Sequence, residues 1–237
     1  MTRPGWMIDE LAHAGDEHLD PAYVAGYDAK SQTDPSADVA LLRSLGMDSN
    51  STVVDLGAGT GAFALTVAPH VRRVVAVDVS PAMLDILRAN VARHGMANVE
   101  SVHAGLLSYE HHGDPADVVY SRNTLHHLPD FWKGIALARA AALLRPGGIL
   151  RLHDLVYSFD PAEAPERIDA WFASAPADPA QGFTRADLEL HVRTEHSTYT
   201  WLLEPLLERA GFTIQQSDYR PSGAFAAYVC VRQYKQI

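Results

Sequence analysis

The chain has a single cysteine, Cys230, in 237 residues. An internal disulfide is therefore impossible, and thiolate metal clusters and two-cysteine redox chemistry are excluded. Cys230 falls in the alternating run Ala227-Tyr228-Val229-Cys230-Val231, which predicts a buried strand position. No apolar run approaches the roughly 18 residues that a membrane span needs. The first residues are acidic and polar (Asp9, Glu10, Asp16, Glu17, Asp20) and lack the basic-then-apolar order of a secretory leader. A cytoplasmic protein with no membrane partner is expected. Basic residues are also scarce, 19 lysines and arginines against 29 aspartates and glutamates, for a net charge of −10. The arginines are scattered, so the field repels a phosphate backbone and argues against nucleic acid. At this length, near the roughly 250 residues where single cores stop growing, one decorated domain is expected.

What the chain does have is a glycine loop in a strand–loop–helix setting. Thr52-Val53-Val54-Asp55-Leu56 is apolar and ends near an acid; Gly57, Gly59 and Gly61 follow, then helix-like Ala62–Ala68. Glycines there let a ligand approach backbone that side chains would otherwise cover. A second apolar run, 74–77, ends in Asp78, 23 residues beyond Asp55, with Ser80-Pro81 opening another helix. A carboxylate at that distance suits a ribose. Strands are expected near 52–56, 73–78, 98–103, 116–121 and 148–155, and helices near 61–69, 81–94 and 130–144. Such alternation predicts an α/β, doubly wound, mostly parallel sheet. Around it, residues 1–35 read as a helical arm or lid, with Ser36 capping a helix over 37–45. The core spans 36–157. A helical insertion (158–197), rich in proline and alanine, covers the substrate, with helices near 165–174 and 184–195. A helix over 198–209 and strands near 212–219 and 223–232 return residues 198–237 to the core.

Two cofactor classes fit the loop. Read as Gly57-x-Gly59-x-x-Ala62, it satisfies a dinucleotide fingerprint. Read as Asp55-x-Gly57-x-Gly59-x-Gly61, it resembles the first motif of class I S-adenosylmethionine-dependent methyltransferases. Electrostatics favours the second reading, because a carboxylate beside the loop opposes a pyrophosphate and complements an ammonium. The resemblance continues through Asp78-Val79-Ser80-Pro81-Ala82-Met83-Leu84, through 117–128 with Leu125-His126-His127-Leu128, and through Leu144-Arg145-Pro146-Gly147-Gly148-Ile149-Leu150. Tyr23–Lys30 is similar to the arm that many small-molecule members fold over the cofactor.

The resemblance implies a seven-stranded Rossmann-like methyltransferase fold with an antiparallel last strand. It implies S-adenosyl-L-methionine as cofactor, S-adenosyl-L-homocysteine as product, and a small-molecule acceptor. The cofactor-binding set it implies is Tyr27, Asp55, Gly57, Ala58, Gly59, Thr60, Gly61, Asp78, Val79, Met83, Gly105, Leu106, Arg122 and Asn123. One departure is plain: after the third strand the family often carries an acid near the adenine amine, whereas this chain has Ala104-Gly105-Leu106-Leu107. Backbone of Gly105 and Leu106 is left to meet the adenine edge.

For catalysis, His126, His127 and Asp154 stand at the ends of neighbouring strands and are candidate general bases. Asp154 has a plainer alternative, pairing with Arg151 or capping a turn. His111-His112 lack zinc spacing and read as a solvated loop, so no metal is expected. Trp171, Phe172, Phe183, Tyr199 and Trp201 are candidate walls for the acceptor. A small metabolite is reached by elimination, since the Asn/Asp-Pro-Pro-aromatic tetrad of base-amine methyltransferases and a multi-thiol site are both absent. An NAD-dependent oxidoreductase, an enzyme of modified S-adenosylmethionine and a non-catalytic binding module stay open, as does a homodimer.

Overall fold

The computed structural model describes residues 4–233. The arm contains short helical turns and two brief helices, α1 (Pro21–Val24) and α2 (Tyr27–Ser31), and leads to α3 (Ser36–Ser44). Ser36 does not cap α3, as its sequence position suggested. It is the first helical residue, and its N–H donates to Asp34 Oδ1 at 2.9 Å.

Every residue of β1 (Thr52–Leu56) is buried, and α4 (Ala62–Val67) follows. The centre of β2 (Arg73–Asp78) is buried as well. Valine-rich strands covered on both faces are what a parallel sheet between helix layers requires. Helix α5 (Pro81–His94) begins where Ser80 Oγ accepts the Met83 N–H at 3.2 Å, and it stops at Gly95, whose φ is 64°. Next come β3 (Val99–His103), β4 (Ala116–Arg122), α6 (Asp130–Leu143) and β5 (Leu144–Asp154). Strand β5 begins ahead of the expected residue 148. The Arg-Pro-Gly-Gly stretch forms a bulge against β4, whose register runs Ala116↔Leu144 and then Val118↔Ile149.

Beyond β5 lie β6 (Val156–Tyr157), α7 (Ala164–Ala173), α8 (Arg185–Thr194) and β7 (Thr198–Tyr199). Strands β6 and β7 pair as a separate parallel ribbon, so Thr198 is extended and α9 starts later, spanning Thr200–Arg209. Thr184 and Asp187 form a capping box at the start of α8. Strands β8 (Phe212–Tyr219) and β9 (Ala226–Arg232) close the chain. Strand β9 is shorter than expected because Gly223 turns at φ 73° and its carbonyl accepts the Ser158 N–H.

The main sheet has seven strands in the order β3-β2-β1-β4-β5-β9-β8, and β9 runs antiparallel to β5 and β8 on either side of it. The doubly wound sheet expected from the sequence is present. One apolar core lies under α6 and α9, the other under α3, α4 and α5. Cys230 is buried in β9. Connections from β1 and β4 leave in opposite directions, which opens a crevice at their C-terminal ends, where open α/β sheets bind ligands.

Candidate active site

The crevice has a volume of about 670 Å³ and is floored by the loops after β1, β2 and β3. A second hollow of about 480 Å³ adjoins it around the glycine loop and shares Tyr27, Gly57, Gly59, Arg122 and Asn123. The glycines differ in purpose. A side chain on Gly57 would strike Thr124 at 2.1 Å. On Gly59, at φ 53°, a Cβ would meet nothing nearer than Met83 Sδ at 4.0 Å, so this backbone is open to a ligand. Gly61 faces away from the crevice. It packs against Leu87, which a Cβ would approach to 3.1 Å, so its part is to seat α4 on α5.

Two carboxylates lie under this loop. Asp55 is buried, and its Oδ2 has no hydrogen-bond partner among the described residues. Burial, reinforced by the charge of Asp78, pushes its pKa up to about 8. Asp78 is raised by burial too, although Ser80 and Gly59 donate backbone N–H bonds to its two oxygens at 2.8 and 2.7 Å. Asn123, at the end of β4, is held at φ 50°, and its N–H donates to the His153 carbonyl at 2.9 Å. Its neighbour Arg122 has a buried, unpartnered Nε, while Nη1 lies 3.6 Å from Asp38.

The arm closes over these loops and is tied to each of them. Asp28 accepts from the Thr60 hydroxyl, the His18 carbonyl accepts from Ser80 Oγ at 2.6 Å, and Glu10 accepts from Leu107 N at 2.8 Å. Lys30 joins the arm to the insertion through Asp187 at 3.1 Å. Tyr27 lines both hollows, and burial pushes its phenol up to about 12.

Of the expected cofactor residues, Tyr27, Asp55, Gly57, Ala58, Gly59, Thr60, Asp78, Val79, Met83, Gly105, Leu106, Arg122 and Asn123 all line one hollow or the other, and Gly61 does not. Of the three candidate bases, His127 lies on the crevice wall; His126 and Asp154 sit behind it. Asp154 does not pair with Arg151, which bonds Asp38 at 2.9 Å. Instead Asp154 caps the turn after β4, accepting from Thr124 N, Leu125 N and Leu155 N, and it meets His126 Nδ1 at 2.6 Å. Burial opposes its charge, but His126 and these donors hold its pKa below the usual carboxylate range.

His127 Nδ1 meets Glu195 Oε2 at 2.9 Å. Burial works against the Glu195 charge, and the His127 bond outweighs it, holding that carboxyl low. The ring of His18 stands edge-on 5.5 Å from His127. Glu10, His18 and Glu195 escaped sequence reading, since each lies in a polar stretch with no local motif, whereas Asp28 belongs to the Tyr23–Lys30 arm segment. The candidate wall aromatics are also placed elsewhere: Trp171 and Phe172 pack in the insertion's own core, Tyr199 joins that core and stacks on exposed Trp201, and Phe183 lies under Lys30. None of them lines the crevice.

A family model described as a methyltransferase domain matches residues 53–148. A carboxy-S-adenosyl-L-methionine synthase of Psychrobacter arcticus is 30% identical over 148 residues, covering 58% of this chain and 53% of that protein. An uncharacterized methyltransferase of Mycobacterium tuberculosis is 34% identical over 98 residues, covering 41% and 47%. The chain spans about half the length of these curated relatives. Magnesium protoporphyrin IX methyltransferase of Synechocystis, solved with S-adenosylhomocysteine bound, superposes with a TM-score of 0.67 and 15% identity, covering 95% of this chain and all of that one; the likeness is one of fold. Fold, motifs and the family model over residues 53–148 make this chain similar to the class I S-adenosylmethionine-dependent methyltransferases. The residues present fit that family's cofactor. Asp55 has a carboxylate oxygen without a partner among the described residues, Gly59 leaves room for a ligand, and Asp78 lines the adjoining crevice.

Proposed function

We propose that this protein transfers the methyl group of S-adenosylmethionine to a small-molecule acceptor. The observation that carries the reading is Asp55, a buried acid with an unpartnered oxygen beside an open glycine loop. A second carboxylate, Asp78, lies near enough to raise its pKa. Such a pair calls for a ligand with a positive charge at one end and hydroxyls in the middle. When bound, S-adenosylmethionine supplies an activated methyl on a sulfonium, so the protein's task is alignment and exclusion of water. In this reading Asp55 holds the ammonium, Asp78 the ribose hydroxyls, and backbone around Arg122 and Asn123 the methionine portion.

His127 is the group placed to take a proton from the acceptor. Glu195 accepts from Nδ1, which orients the ring on the crevice wall, and the His18 ring packs edge-on against it. His126 and Asp154 act as positioning residues for the turn that carries His127. The arm and the insertion serve as the lid, held together by Lys30 and Asp187. The crevice is concave and lined by apolar and polar groups together, as small-molecule sites are, and the net charge of −10 disfavours nucleic acid. No helix of the described residues is long and apolar enough to cross a membrane, in keeping with a cytoplasmic enzyme.

The test is calorimetry with S-adenosylmethionine, S-adenosylhomocysteine and NAD, followed by release of labelled methyl across a panel of hydroxyl, amine and carbon acids. Binding of both adenosyl ligands, no NAD affinity and turnover on a panel member are expected. Affinity for NAD alone would reject the reading, and binding without turnover would leave a binding module. Similarity to the carboxy-S-adenosyl-L-methionine synthase favours one second reading, in which the cofactor itself is remodelled. Mass spectrometry of the spent cofactor separates the two, because methyl transfer leaves S-adenosylhomocysteine.

A further inference from the structure

Glu10 is only 8% exposed although it belongs to the arm, and its carboxylate is seated inside the crevice. Oε1 accepts from Leu107 N and Oε2 from Ser108 Oγ, each at 2.8 Å. Ser108 Oγ in turn accepts the Gly105 N–H at 2.8 Å, so the carboxylate completes the turn after β3. The fit is close: a Cβ on Gly105 would stand 2.3 Å from Glu10 Oε1 and 2.4 Å from its Cδ. Residue 105 must be glycine for Glu10 to occupy this place. Each carboxylate oxygen has one partner and keeps a further lone pair.

The sheet order fixes what those lone pairs would meet. Strands β1, β2 and β3 are adjacent, so the glycine loop, Asp78 and the Ala104–Leu107 turn follow one another across the crevice. A nucleoside whose amino-acid end is at Asp55 and whose ribose is at Asp78 extends its base onto Gly105, Leu106 and Glu10. We propose that Glu10 recognises the amino edge of that base. The arm, rather than the sheet, then supplies the acceptor for the exocyclic amine, and selection of the base is coupled to closure of the lid. This inference rests on the S-adenosylmethionine reading of the crevice.

The consequence is a preference for a 6-amino purine over a 6-oxo purine. A carboxylate accepts from the amine and repels a carbonyl oxygen, whereas glutamine keeps the Leu107 bond and can donate. Calorimetry of S-adenosylhomocysteine and S-inosylhomocysteine should be run on the full chain as wild type, Glu10→Gln and Glu10→Asp. The wild type should prefer the adenosyl ligand, and that preference should fall by about tenfold in Glu10→Gln, in line with loss of one charge-assisted hydrogen bond. A residue that merely anchors the arm would weaken both ligands in proportion and leave the ratio untouched. An unchanged ratio in Glu10→Gln would therefore overturn the inference while the cofactor reading stands. Failure of the wild type to bind either nucleoside would overturn both. Should Glu10→Gln not fold, Glu10→Asp keeps the charge and shortens the reach, and the same ratio decides.

Discussion

At the β1–β3 end of the crevice the wall is largely backbone: the open face of Gly59, the turn at Gly105, and two acids fixed by their own loops. At the β4–β5 end it is side chain held by side chain across long stretches of chain. His127 is set by Glu195, 68 residues away, and the arm is tied to the insertion by Lys30 and Asp187, 157 residues apart. A backbone wall serves any member of a family that shares the cofactor. A wall of paired side chains can be re-cut for a new acceptor by changing a few remote residues. Under the proposed function, cofactor binding falls at one end and acceptor choice at the other.

The widest separation between the two ends should come from His127→Ala. Loss of a general base lowers kcat by roughly 10²–10⁴, with affinity for S-adenosylhomocysteine unchanged in calorimetry. A large loss of affinity instead would make His127 part of the cofactor wall and blur the division. Next is Asp78→Ala, expected to weaken S-adenosylhomocysteine binding by about 1–3 kcal/mol. If affinity held, Asp78 would be no more than a cap for the Ser80 and Gly59 N–H groups. Lys30→Ala should do least, because a part-buried ion pair still open to solvent at Asp187 contributes about 1 kcal/mol or less. Its effect should be confined to the acceptor KM, and a change in cofactor affinity would show that the lid serves both ends.

Stability gives an independent comparison. Asp55 is raised above its unfolded value, so the folded state holds the proton more tightly. Its contribution is intact below about pH 4 and is lost as pH climbs to about 8. Asp55→Asn should therefore melt a few degrees above the wild type at pH 8 in the absence of ligand, and the gap should close by pH 4. Asp38 behaves in the opposite way. Burial opposes its charge, but His153 and Arg151 hold its pKa well below the usual range, so its contribution persists above the unfolded value and is lost in acid.

The same contrast explains what could be read in advance. The glycine loop, Asp78 and the strand–helix alternation are local patterns, and the structure places them as the sequence suggests. Motif spacing counts Gly61 with the ligand face because spacing does not say which glycine serves packing; its contact with Leu87 does. The acceptor end was far less legible. Trp171 and Phe172 resemble pocket walls in composition, yet an apolar ring carries no sign of whether it faces a cavity or a core. Glu10 lies 97 residues from Leu107, and nothing near either residue announces the pair. The acid absent after β3 is brought there by tertiary structure alone.

The central claim is that the buried carboxylates at 55 and 78 answer a cationic nucleoside. Calorimetry of S-adenosylhomocysteine binding at pH 7, repeated in buffers of different ionisation heat, counts the protons that binding displaces. With Asp55 near a pKa of about 8 in the free protein, close to one proton should leave as the ammonium docks, and Asp55→Asn should abolish the release. Binding that displaces no proton, with the same heat in every buffer and in Asp55→Asn, would contradict the account.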